Sequence, residues 1–160
     1  MRRIISLAFA AFMLAMCLVG CGKRDPKYVG KWEASSMTLN GETSEQVMGV
    51  PISALFRFEV YDNGKVTWRS AVDNNIIQNA NATMDITWKE TKENRIEFKV
   101  TDLSGKTDTQ TMNLNYHDDM LVIEESGSAI YLKKVDEFTK IDPQALNSAA
   151  SAIQNFGITN

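Results

Sequence analysis

Period-two alternation of apolar and polar side chains is the feature that most restricts what this chain can fold into. Phe56, Phe58 and Val60 alternate with Arg57 and Glu59, and Val66 and Trp68 with Lys65, Thr67 and Arg69. Met84, Ile86 and Trp88 alternate with Asp85, Thr87 and Lys89, and Ile96, Phe98 and Val100 with Arg95, Glu97 and Lys99. The same rhythm returns at Met112, Leu114 and Tyr116, at Leu121 and Ile123, and at Ile130 and Leu132. Successive side chains of a strand point to opposite faces, so alternation this regular buries one face and wets the other, as in antiparallel sheets. With Lys31–Leu39 at the front there are eight strand candidates. Polar turns join most of them: Asp62-Asn63-Gly64, Thr91–Asn94, His117-Asp118-Asp119 and Glu125-Ser126-Gly127. Short sequential connections favour a meander, and eight strands is the number at which a sheet closes into a barrel, its interior filled or holding one small ligand. A two-sheet sandwich is the structural alternative, but nothing in the chain suggests its long crossovers. The expected fold is therefore all-β, an eight-stranded antiparallel up-and-down barrel.

Two segments break the rhythm. Asn40–Pro51 lies between the first two strands, with Ser44–Met48 long enough for a helical turn, and Ala71–Ala82 is the longest loop of the middle. The tail changes period. Asp142 is placed to cap a helix with Pro143 at its first position, and Leu146, Ala149, Ala150, Ile153 and Phe156 then share one stripe before Gly157. A short C-terminal helix over about 142–156, packed outside the barrel, is predicted.

The amino terminus is an address. Arg2-Arg3 and the apolar run Ile4–Val19 form the charged and hydrophobic regions of a secretory signal, shorter than the roughly 20 residues that span a bilayer. Leu18-Val19-Gly20-Cys21 resembles the lipobox of bacterial lipoproteins, whereas Cys17 follows Met16, too large for the small-residue position. The resemblance implies cleavage before Cys21, a diacylglycerol thioether and fatty acyl chains of the palmitate type on Cys21, and a lipid-anchored place outside the cytoplasm. That place is the cell membrane, or the outer membrane if the cell has one. The expected organisation is a signal peptide over 1–20, lipidated cysteine and tether over 21–27, and one domain over 28–160.

Charge and cysteine count then exclude several functions. Arg2 and Arg3 leave with the signal, so the mature chain carries 15 basic and 20 acidic side chains, formally -5. No basic run follows Lys23-Arg24, which argues against nucleic acid as a partner. Cys17 leaves and Cys21 is modified, which removes thiol catalysis, a cysteine zinc site and redox work.

Gly30-Lys31-Trp32 at the head of the first strand, followed by this meander and a terminal helix, resembles the lipocalin superfamily (calycins) over roughly Tyr28 to Phe156. The resemblance implies that Trp32 crosses the closed end of the barrel and that Gly30 lets the entering chain pass beneath it. Where the family usually sets an arginine on the last strand against that tryptophan, this chain has Lys133 and Lys134.

No enzyme signature is present, and the expectation is a non-enzymatic protein without cofactor. His117 is the one histidine and sits in a turn beside Asp118 and Asp119, without a second nitrogen ligand for a metal. No serine is framed by a nucleophile elbow, and Asp62-Asn63-Gly64 lacks the downstream Glu of a calcium loop. The inward face is where function is expected. Phe56, Phe58, Trp68, Met84, Trp88, Phe98 and Met112 form an apolar wall, with Gln110, Ser36 and Thr38 in phase to orient the polar end of a ligand. The first reading is an anchored barrel that binds a small apolar or amphipathic ligand at a mouth framed by Asn40–Pro51 and Ala71–Ala82. The alternative is a solid barrel that binds another cell-envelope protein through loops carrying Val47-Met48-Gly49-Val50 and Ile76-Ile77.

Overall fold

The computed structural model describes residues 24–47, 49–69, 71, 84–103, 109–142, 144 and 146. Among them the strands are β1 (Gly30–Leu39), β2 (Glu42–Ser44), β3 (Gln46–Val47), β4 (Val50–Pro51), β5 (Arg57–Val60), β6 (Lys65–Trp68), β7 (Met84–Lys92), β8 (Arg95–Asp102), β9 (Thr109–His117), β10 (Met120–Glu125) and β11 (Ser128–Val135). A single helical turn, α1 (Ile52–Leu55), precedes β5. From β5 to β11 each strand pairs antiparallel with the next, and β1 pairs with β5 on one side and β11 on the other. The eight-stranded antiparallel barrel that the alternation predicts is present and closed.

Turn chemistry sets the register. Asn40-Gly41, Asp118-Asp119 and Ser126-Gly127 are two-residue loops with positive φ at both positions, 51° and 87°, 49° and 60°, and 45° and 86°. That geometry matches the right-handed twist of the strands it joins. In the β5–β6 turn Asn63 Oδ1 accepts from Lys65 N at 3.0 Å, and Gly64 N donates to Tyr61 O at 3.1 Å.

The interior is continuous from one end of the barrel to the other. Tyr28, Trp32, Ala34, Ile52, Phe58, Val60, Val66, Ile86, Trp88, Ile96, Phe98, Leu114, Leu121 and Leu132 are buried in one cluster. At about 25 cal/mol per Å² of apolar surface removed from water, these fourteen side chains are the main source of the fold's stability.

Three local expectations change. Ser44–Val47 is not a helical turn but short strands on either side of Glu45. The Ser44 hydroxyl accepts from Gln46 N at 3.1 Å and donates to Gln46 O at 2.7 Å, a local bond that competes with a helix. The helical turn comes later, at Ile52–Leu55, with Pro51 at its N-cap. Second, β1 is bulged between Ala34 and Ser36, where its register against β11 shifts by one residue. The extra residue, Ser35, donates its hydroxyl to Tyr131 O at 3.1 Å. Beyond it Met37 and Leu39 face inward opposite Ile130 and Ser128, and Ser36 and Thr38 share the outer face with Tyr131 and Ala129. Third, Phe56 lies just before β5 rather than in it, half-buried against the core, with its carbonyl accepting from Ala34 N at 2.9 Å.

After β11 the chain crosses the outer wall over β1 and β5. Glu33, buried although its neighbours Trp32 and Ala34 take the inner face, accepts Thr139 N at 2.8 Å and the Thr139 hydroxyl at 2.6 Å. Arg57, also buried, donates to Ser53 O and Thr139 O and lies 5.5 Å from the Phe138 ring. Burial lowers the Arg57 pKa, opposed by the Glu33 charge. Ile141 and Leu146 then pack on a second cluster with Val50 and Ala54. Asp142 Oδ1 accepts from Gln144 N at 2.8 Å, and Gln144 and Leu146 are helical. The rest of the predicted 142–156 helix lies outside the described residues.

Candidate functional site

The two ends of the barrel differ. One is sealed by aromatic rings: Tyr28 meets Trp88 and Tyr116 edge-on, with centroids 5.9 Å and 5.6 Å apart, and Trp32 meets Tyr116 at 6.4 Å. Edge-to-face pairs contribute about 0.5–1.5 kcal/mol each beyond their burial. Every indole N–H here has a partner: Trp32 Nε1 donates to Tyr28 O at 2.8 Å and Trp88 Nε1 to Tyr61 O at 2.7 Å. The entering chain is strapped across this end. Arg24 lies 5.4 Å from the Trp88 ring and donates to Asp62 O at 3.1 Å. Lys27 sits over the rings of Tyr28 and Tyr116, pairs with Asp25 at 3.2 Å and donates to Asn94 Oδ1 at 3.2 Å. Lys134 Nζ donates to Pro26 O and Lys27 O at 3.2 Å and 3.1 Å and lies 5.7 Å from the Trp32 ring. Lys133 points elsewhere, to Glu33 at 3.6 Å.

At the opposite end the inward side chains are apolar but half exposed. Met37, Val47, Trp68, Val100, Met112, Ile123 and Ile130 pack on the upper surface of the core. The large hydrophobic residues that stand exposed among the described residues, Leu39, Met84 and Leu103, all belong to this end. Here β1 stays paired with β11 but runs past β5, and β2 takes the place beside it, Met37 pairing with Ser44 and Leu39 with Glu42. The concave face of that hairpin forms an open groove of about 480 Å³ lined by Met37, Leu39, Asn40, Glu42, Ser44, Gln46 and Val47. A volume of this size suits a small molecule, and its lining combines an apolar floor with carboxylate, hydroxyl and amide groups.

The residues expected to form a ligand wall divide by depth. Phe58, Trp88 and Phe98 are buried in the core, and Phe58 and Phe98 stack edge-on at 5.5 Å. Trp68 and Met112 stand at the open end above them, Trp68 Nε1 donating to Leu55 O at 2.8 Å. Met84 is 38 % exposed at the same end, and Gln110 is exposed on β9. Sequence reasoning missed Met37 and Leu39 and had Val47 only on a loop that frames the mouth or docks a partner. The signal was present as a change of phase, since Trp32 and Ala34 occupy even positions and Met37 and Leu39 odd ones. Val50 was expected to be an exposed loop residue but is buried under the tail. Cys21, Met48, Ile76-Ile77 and most of Ala71–Ala82 lie outside the described residues.

His117 and Asp118 form an exposed pair at 2.8 Å, and no group of three metal-ligating side chains occurs among the described residues. No helix among the described residues is long and apolar enough to cross a membrane. No protein-family model, curated protein or solved structure matches the chain.

Proposed function

We propose that this chain is an extracytoplasmic lipoprotein, anchored in a bacterial envelope membrane by acylated Cys21, whose lipocalin-like barrel binds a small apolar or amphipathic ligand. The binding site is the open end rather than the interior. One observation carries the reading: exposed Leu39, Met84 and Leu103 and the half-buried ring below them gather at one end, beside a groove of about 480 Å³, while the other end is closed by four aromatic rings. The ligand lies across the groove with its apolar part on Met37, Leu39 and Val47 and its polar part toward Glu42, Ser44 and Gln46.

Native mass spectrometry of residues 22–160, secreted from a bacterial host, tests this. An extra mass that disappears on denaturation and in Leu39→Asp supports groove binding and gives the ligand's mass. A clean apo mass under several growth conditions overturns it. The filled interior favours a second reading in that event: a solid barrel that docks on another envelope protein through the same apolar end. Chemical cross-linking from a residue-103 probe in the intact envelope tests that alternative.

A further inference from the structure

We infer that the barrel stands on its sealed end against the bilayer that holds Cys21, with the open groove facing the aqueous compartment. The inference rests on the proposed lipid anchor and deepens the binding reading, because it fixes where the ligand comes from. Residues after Cys21 are usually pictured as a loose tether, but here only Gly22 and Lys23 separate the cysteine from Arg24. Arg24 is already bound to the barrel, through Trp88 and Asp62 O, and a Cβ on Gly64 would collide with its guanidinium. The next residues are held as well. Lys27 is fixed by Asp25, Asn94 and two rings, and Lys134 holds the carbonyls of Pro26 and Lys27. These contacts reach the β5–β6 turn, the β7–β8 turn and the end of β11, all at the sealed end.

Three Cα–Cα steps of about 3.8 Å give a reach of no more than about 11 Å from Cys21 to Arg24. That is too short for the barrel to swing round and lay its groove on the membrane surface. A ligand therefore arrives from the aqueous side, free or handed over by a soluble or facing partner, and is not drawn out of the anchoring leaflet. An amphipathic molecule with appreciable water solubility, or one delivered by a carrier, fits this access.

The full lipoprotein, processed in a bacterial host and reconstituted in phosphatidylcholine vesicles with a headgroup-level acceptor dye, provides the test. Single probes are placed at His117→Cys, at the sealed end of β9, or at Glu125→Cys, at the open end of β10; both positions are exposed. They are about 17 Å apart along the strands, taking roughly five residues at about 3.3 Å. Energy transfer about twofold or more higher from residue 117 than from residue 125, and equalised by twelve Gly/Ser residues inserted between Lys23 and Arg24, is the expected result. Vesicle-bound protein with equal or reversed transfer, or a difference that survives the insertion, overturns the tether-limited orientation while leaving the anchor intact. Protein that fails to float with the vesicles overturns the anchor itself, and the orientation with it.

Discussion

Lys134 holds Trp32 from below: its Nζ lies 5.7 Å from the indole ring while donating to the carbonyls of Pro26 and Lys27. One ammonium thus joins the last strand, the first strand and the entering chain. Lys134→Met keeps the aliphatic stem and removes the charge, and is expected to cost about 1–2 kcal/mol, the sum of a partly exposed cation–π contact and two hydrogen bonds. Lys134→Arg is expected to retain most of the stability. Urea denaturation of the three chains measures this, and equal midpoints would refute it.

Gly30 is a separate constraint at the same corner. Its φ is 133°, and a Cβ there would lie 2.9 Å from Lys134 Cε. Gly30→Ala is expected to cost about 1–3 kcal/mol from backbone strain. Because the strain is in the backbone, adding Lys134→Ala does not restore stability; recovery in the double variant would show that the clash, not φ, is responsible.

Glu33 is the buried pin of the tail. Glu33→Ala strips two hydrogen bonds from Thr139 and leaves buried Arg57 without a nearby negative charge. The expected cost is on the order of 2–4 kcal/mol, the range for removing one partner from a buried polar network. Hydrogen exchange should rise first at residues 136–142, with β8 and β9 still protected; uniform loss of protection across the chain would contradict a local role.

Leu39 makes the opposite prediction. It is 51 % exposed, so Leu39→Asp should change stability by no more than about 0.5 kcal/mol. Leu114→Ala, at a position with no exposure, should cost about 2–5 kcal/mol. Thermal melts of the two distinguish a surface available for binding from a core residue.

Stability should form a plateau with two shoulders. Burial is the main cause that raises the Tyr28 phenol, and a hydrogen bond with Asp119 the main cause that raises Tyr116. A raised folded pKa means that their contribution is complete below about pH 10 and disappears as pH rises through the folded values. The Lys27 backbone N–H chiefly lowers Asp25, and a hydrogen bond from Tyr61 chiefly lowers Glu59. Their contribution is present above about pH 4 and is lost as pH falls through the folded values. Denaturation midpoints at pH 3, 7 and 10.5 read both limbs, and Tyr116→Phe should flatten the alkaline one.

The strands were legible because Phe58, Val66, Trp88, Phe98, Leu114 and Leu121 each sit in an unbroken alternation, and burial of one face enforces that pattern directly. Polar turns between them left few other ways to connect the strands. The bulge was harder to read because Ser35 and Ser36 are both small and polar, so neither marks a face. Glu33 resembled an ordinary wet position between Trp32 and Ala34, and its partner Thr139 lies 106 residues away and binds partly through its backbone. Asn40–Pro51 was legible as framing a mouth, but Met37 and Leu39 as its apolar floor were missed for the same reason as the bulge that turns them inward. The deep aromatics were legible as inward, but alternation reports direction, not depth, and cannot separate Trp88 in the packed floor from Trp68 at the rim.

The extra residue at position 35 makes the polarity of the rim independent of the floor. Running β1 regularly through Ser35 would leave Trp32 and Ala34 in place but present Ser36 and Thr38 to the groove and send Met37 and Leu39 outward. Deleting Ser35 instead keeps Met37 opposite Ile130 and Leu39 opposite Ser128. A greasy rim and a hydroxyl-lined one are thus separated by whether one residue leaves the ladder, a choice made apart from the packing that holds the floor together.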